Sequence, residues 1–436
     1  MSLCRVLVAV AAVAAVTSSA AAQEAVQVAP LAAPDAFSTG TRDTGLGQDL
    51  WRGASAETLR TVLPLLASKP LSPASQALAR RVLATGAPGP EGAGAEAAGA
   101  RVAALIAVGA AKDAAQLLSR ASGLDQNPAL AQAAAESALL ANDDDRACKT
   151  GDQLAVGRED VYWLRLRAFC QQRAGNAGAA QLTFDLAQAQ ARDAVYGRLM
   201  GAKLAGAGSP GAPSLRNGLD YALSRSLGLD LAAAQPSAAV AAALASGDAG
   251  AATWKVEGGP GPVQAAMASI AAGDLAGAQS LRAGLTQDSI PGATVTDLAL
   301  LDALLSAASG RPDGPTLDRL VERGAAGEPK AAARAQSAAL VLAALGAPMS
   351  PAARGQFARF AAGEAKAPAA RALALDLAGE QKLAGETALL ALWISADAGA
   401  GGPAPGDRAR IVRALRAAGL EADARAYAVE GLLALR

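Results

Sequence analysis

The sequence predicts an all-α protein, a right-handed superhelix of stacked helix-turn-helix units, and three observations carry that expectation. Ala- and Leu-rich segments with helical spacing fill most of the 436 residues. Short Gly/Pro breakers punctuate them, as in AGAGSPGAP near Gly206, EGGPGP near Gly258, SGRPDGP near Gly310, LGAPMSP near Gly346 and GAGGPAPGD near Gly399. Alternation of Val, Ile, Thr and aromatics is nearly absent, and the one tempting stretch, SIPGATVT near Ile290, is demoted to loop by its Pro and Gly. A chain of this length would ordinarily hold more than one core, at about 100–200 residues per domain. Stacked short helices offer another route, because each pair buries its apolar face on the next.

The elements follow in order. Residues 1–22 have the layout of a secretory signal: Arg5, an apolar run from Val6 to Val16, then small residues ending at Ala22 before Gln23. That run is shorter than the ~20 residues a bilayer span needs. Cys4 precedes the run, where an acylation cysteine would follow it, and leaves with the signal. Residues 23–45 carry Pro, Gly, Ser and Thr without an apolar period and read as a flexible tether. Residues 46–84 read as two antiparallel helices, SAETLRTVLPLLA capped by Ser55 and SPASQALARRVLA capped by Ser72. Repeats are expected over 94–205, irregular helical repeats over 214–398, and capping helices over 406–436.

Composition narrows the partners. With 39 basic and 39 acidic residues, no net field steers the chain onto nucleic acid or an anionic surface. Aromatics at 3% leave few rings for stacking on bases or sugars. No apolar stretch beyond the signal is long enough to span a membrane. Arg outnumbers Lys and Ala dominates, which points to a high-GC bacterial source and, with the signal, to the periplasm.

A step of Gly or Asn followed five residues later by Ala recurs as GAAKDA (Gly109), NDDDRA (Asn142), GNAGAA (Gly175), GDAGAA (Gly247), GDLAGA (Gly273) and GLEADA (Gly419). The first three start 33 residues apart, the length of one helix-turn-helix unit. Gly or Asn suits a left-handed helix end, the polar residue caps the next helix, and Ala lets the two helices approach. After the Gly175 turn, Ala180, Phe184 and Ala187 alternate small, aromatic and small residues. Ala114, Leu118 and Ala121 fall at the corresponding positions after Gly109, with Leu in the aromatic place, and Pro128 closes the unit. Over about residues 94–192 this pattern resembles the tetratricopeptide-like α-solenoid superfamily. The resemblance weakens beyond, where the turns are irregularly spaced and GDLAGA is followed by Arg282 at the aromatic position.

Within that frame Cys148 falls near the start of one second helix and Cys170 near the end of the next first helix. Once the signal is removed they are the only cysteines, so an oxidising compartment predicts a disulfide between them. A zinc site is disfavoured by the absence of histidine and the lack of four N or S ligands. Asp143, Asp144 and Asp145 lack the ligand spacing of a calcium loop and read as helix-capping charges. The frame also implies that first helices line a concave groove, which makes Arg165, Arg167 and Arg173 the candidate partner-binding residues. Tyr162, Trp163, Leu166, Phe169 and Cys170 share one helix face and read as core, as do the isolated Trp51, Trp254 and Trp393.

No catalytic residue, cofactor or metal is expected. Zero histidines remove Ser-His-Asp and Cys-His activation, and no lysine follows a serine at S-x-x-K spacing. GAGSPG at Gly206 matches a dinucleotide fingerprint literally, but helix precedes it and Pro surrounds it, so it reads as a linker. Glu136-Ser137 resembles the catalytic pair of soluble lytic transglycosylases, which also carry an Ala-rich superhelix. The Gly-rich, Met-Gln segment that should follow is missing. The leading expectation is a periplasmic, non-catalytic scaffold or adaptor for a protein partner of the cell envelope, with no nucleic-acid partner. Its rivals are a protein of cell-wall polysaccharide processing and a carrier of an apolar ligand.

Overall fold

A computed structural model describes residues 37–435 apart from 121–122, 207–208, 238–239, 242–243, 245–253, 255–260, 287–293 and 362, with the side chain of Ala95 also set aside. The signal, the first part of the tether, the GDAGAA step at Gly247, the EGGPGP breaker and most of SIPGATVT lie outside the described residues. Among the described residues the structure is all-helical with no strand. Helices with both ends described are α1 (Ala56–Ser68), α2 (Pro73–Ala84), α3 (Gly94–Ala107), α4 (Ala111–Arg120), α5 (Pro128–Leu140), α6 (Asp144–Gln153) and α7 (Val161–Arg173). There follow α8 (Ala177–Gln190), α9 (Ala194–Ala205), α10 (Gly218–Ser226), α11 (Pro262–Ala271), α12 (Leu275–Ala283), α13 (Val295–Ala308) and α14 (Gly314–Ala326). The last six are α15 (Pro329–Leu345), α16 (Pro351–Phe357), α17 (Ala369–Glu380), α18 (Ala384–Ala398), α19 (Pro405–Ala417) and α20 (Glu421–Leu433).

The recurring step behaves as its chemistry dictates. Gly109, Asn142, Gly175, Gly273 and Gly419 all have positive φ, between 63° and 84°. In each case the next N–H donates back across the turn, Ala110 to Leu105, Asp143 to Ala138, Asn176 to Gln171, Asp274 to Ser269 and Leu420 to Leu415, at 2.8–2.9 Å. That bond satisfies a carbonyl which the helix end would otherwise orphan. The alanine five residues on from each step (Ala114, Ala147, Ala180, Ala278 and Ala424) is fully buried where the two helices touch. Asp143 and Asp274 cap the following helices, accepting from Arg146 N and Gly277 N.

Hairpins α3/α4, α5/α6, α7/α8, α11/α12, α14/α15 and α19/α20 pack as neighbours. Two cores result. The smaller is built from α5, α6, α7, α9 and α10 and holds Trp163, Leu166, Phe169, Tyr196, Leu199 and Met200. The larger takes in α1 to α4 and the helices from α11 to α20. Helix α5 divides its apolar surface between them: Leu130, Ala133 and Ala134 face the larger core, Ala131, Ala135 and Ala138 the smaller. A helix apolar on every side must be surrounded.

Three sequence expectations meet a different arrangement. From Phe37 onward the tether is docked: Phe37 is buried edge-on against Trp51, its carbonyl accepts from Ala87 N, and Thr41 N donates to Ala84 O. An aromatic with a core to enter outweighs the Gly and Thr around it. Helices α1 and α2 do not form a self-contained antiparallel pair; both pack on α3 and α18 more than on each other. Helix α18 is buried nearly all round, from Gly385 to Ala396, and attracts both. The C-terminal pair does not end the stack with a polar outer face, because α20 packs on α2, α13, α15 and α19 and buries Tyr427, Val429, Leu432 and Leu433.

Candidate functional site

The segment with Cys148 and Cys170 is a joint. Cys148 on α6 and Cys170 on α7 are disulfide-bonded with Cα atoms 5.6 Å apart. Beside them Asp144 is buried and answered by two guanidinium groups, Arg173 Nη1 at 3.1 Å and Arg225 Nη2 at 2.6 Å. Helices α6, α7 and α10 thus meet on one carboxylate. Tyr221 on α10 donates to Asn142 Oδ1 at 2.8 Å and ties the same helix to the preceding turn.

The three arginines expected to face a partner occupy different roles. Arg165 donates to Ala191 O at 2.9 Å, lies 3.4 Å from Asp193 and stacks 5.3 Å over the Tyr196 ring. Arg173 is taken by Asp144 and Asp145. Arg167 is partly exposed and donates only to the Arg158 carbonyl, with burial and then the Arg158 charge lowering its affinity for its proton. The joint therefore brings Arg173 into its own pairing and leaves Arg167 the more available of the three.

Glu136 is built into the fold. Its Oε2 accepts from Gly218 N at 2.6 Å, so a side chain on α5 caps the N-terminus of α10. A Cβ at Gly218 would lie 2.8 Å from that oxygen, which explains the glycine. Burial pushes the Glu136 carboxyl up, against the opposing pull of Gly218 N–H, and burial with the Glu136 charge raises the Tyr162 hydroxyl beside it.

Helix α8 carries an open face. Only Ala180 and Ala187 are buried along it. On the other side Ala179, Leu182, Leu186 and Ala189 recur at helical spacing and are exposed, Leu182 by 73% and Leu186 by 55%. In each hairpin the second helix meets the next first helix, α4 with α5, α6 with α7 and α8 with α9. Helix α8 meets α7 and α9 but keeps this stripe bare. Asp185 is its sole formal charge.

A concavity elsewhere in the fold has no counterpart in any sequence motif. A cavity of about 590 Å³ opens where residues 42–44 meet α2, α11, α13 and α20. Ile270, Ala308, Ala426 and Val429 form apolar wall, with Trp254 beside them. Arg42, Arg81 and Arg425 face two carboxylates, Asp43 and Asp423. Residues 42–44 also line an adjoining open polar recess with Gln48, Gln116 and Arg120. Helices distant in sequence supply each wall, so no local motif could announce it. Among the described residues no cluster of His, Cys, Asp and Glu could hold a metal ion, and no helix is long and apolar enough to cross a membrane. No protein-family model, curated protein or solved structure matches this chain.

Proposed function

We propose that this chain is an exported, non-catalytic adaptor of the bacterial cell envelope, built as a right-handed superhelix of tetratricopeptide-like units, that docks an amphipathic helix of a partner protein on the open face of α8. The observation that carries the reading is the exposed Leu182/Leu186 stripe, at positions where the two preceding units expose polar residues instead, Gln116 and Arg120, then Lys149 and Gln153. The groove-facing role implied for Arg165, Arg167 and Arg173 passes to that stripe: Arg165 and Arg173 are paired with carboxylates, and Arg167 lies beside Asp152 and the cystine. A helix with Lys or Arg along its edge complements Asp185; a second copy of α8 would set Asp185 against its own kind. The Cys148–Cys170 disulfide supports an oxidising compartment, hence export to the periplasm. The commitment of Glu136 to capping α10 supports the non-catalytic reading.

A photo-crosslinking residue at position 186, activated in the native envelope, tests this. The expected product is an adduct to a basic-edged amphipathic helix of another protein, lost in Leu182→Glu. Adducts solely between two copies of this chain, or none from a protein with native far-UV circular dichroism, would overturn it. So would peptidoglycan hydrolysis by the purified chain that Glu136→Gln abolishes.

A further inference from the structure

We infer that the cavity bounded by residues 42–44, α2, α11, α13 and α20 binds a small amphiphile with an anionic head and a single apolar chain. The inference stands apart from the α8 docking reading, because the two sites share no residue.

Size comes first. About 590 Å³ lies within the roughly 300–1,000 Å³ typical of small-molecule sites. A concavity of that size lined by Ile270, Ala308, Ala426 and Val429 is costly to leave against water, and an apolar chain removes that cost. Trp254 adds a second indication. Its indole packs against the larger core, yet its Nε1–H is buried with no hydrogen-bond partner among the described residues. A buried donor without an acceptor is destabilising until something supplies an oxygen.

The charge on the wall selects the head. Arg81 is consumed: it pairs with Asp423 and donates from Nε to Thr44 O at 2.9 Å. Arg42 lies 3.6 Å from Asp113, but it shares that carboxylate with Arg80, whose proton affinity is lowered by burial and then by the Arg42 charge. Arg425 has no hydrogen bond or ion pair among the described residues and lies over the Gly310 turn, where a Cβ would come within 3.1 Å of its guanidinium. The lining sets three guanidinium groups, Arg42, Arg81 and Arg425, against two carboxylates, Asp43 and Asp423, and so leaves the chamber positive. A carboxylate or phosphate monoester complements that field and the planar Arg425 fork. A neutral lipid would leave Arg425 uncompensated as its surroundings dry.

Titration calorimetry on the purified full chain, with dodecanoate, dodecyl phosphate and dodecan-1-ol below their aggregation limits, tests the inference. Both anions are expected to bind more tightly than the alcohol; preference for dodecanoate marks a fatty-acid source, preference for the phosphate a lysolipid source. Arg425→Gln removes an unpaired group and should weaken the anions at least about tenfold while leaving the alcohol unchanged. Ala426→Phe, which fills the chamber, should abolish all three. Binding should alter tryptophan fluorescence in wild type and fail to do so in Trp254→Phe. Equal affinity for alcohol and anions, indifference to both Arg425→Gln and Ala426→Phe, or no binding by a natively helical protein would each overturn it.

Discussion

Between α5 and α10 the chain holds itself together over short distances: the cystine closes 22 residues and Asp144 reaches Arg173 across 29. The larger core is closed by groups hundreds of residues apart. Glu430, held through Oε1 by Arg408 22 residues before it, accepts at Oε2 from Ala74 N, 356 residues away, at 2.7 Å, so that Arg408 positions the long-range link. Arg81 pairs with Asp423, Lys69 with Asp397 at 2.9 Å, and Glu386 accepts from Ser55 N and Thr58 Oγ1. Both regions are made of the same hairpins and the same Gly/Asn turns. What differs is the origin of specificity: a covalent bond and pairings of buried carboxylates such as Asp144 in the smaller core, a set of long-range polar links between the first and last helices in the larger.

Breaking the long-range closure should have the largest effect. Arg408→Ala leaves Glu430 buried without its cation, and the loss expected is about 3–5 kcal/mol, read as a shift of the urea midpoint. Removing the staple comes next. Cys148→Ala with Cys170→Ala should lower stability by about 3 kcal/mol in the chain-entropy account. Hydrogen exchange should localise that loss to α5–α10; equal deprotection of α1 and α2 would erase the distinction between the cores. The turns should respond alike in both regions. Gly109→Ala by the larger core and Gly175→Ala by the smaller force a side chain to φ 82° and 79° and should each cost about 1–2 kcal/mol, whereas Lys382→Gly relieves φ 57° and should gain about 0.5–1 kcal/mol by thermal melting.

The smallest effect is one of pH and marks where the two cores share α5. Burial raises the Glu136 carboxyl, so the folded state holds its proton more tightly than the unfolded chain does. The stability linked to that proton is fully present below the ordinary glutamate value of about 4.3 and is lost as pH rises through the folded value. Glu136→Gln keeps an acceptor for Gly218 N and carries no charge. Its melting temperature should exceed that of wild type at neutral pH, and the gap should close as pH falls toward about 4.

The turns were legible because their requirement is local: a positive φ suits Gly or Asn, and a helix contact needs a small residue five positions on. The same bond pattern at Lys382, with Leu383 N donating to Ala378 O at 3.0 Å, escaped notice because lysine carries no such signature. The cystine was legible from a count of two and the spacing of the helices. The docking of Phe37, the insertion of α18 beside α1 and α2, and the cavity at Arg425 were not. Each depends on which distant helix arrives, and apolar Ala/Leu faces look alike in sequence. Arg165 and Arg173 read as open charges for the same reason, since their carboxylate partners belong to neighbouring elements.

A ribosome releases Ala74 long before it releases Glu430. At about 5–20 residues per second, the 356 residues between them take on the order of 20–70 s. Throughout that interval α1 and α2 present Leu59, Val62, Leu78 and Val82 without the helices that later cover them. The smaller core closes through near neighbours and forms early; the larger waits for the last two helices. Until then α3 is the nearest cover for the first helices, and a chain that stops before α19 leaves α2 without its last neighbour.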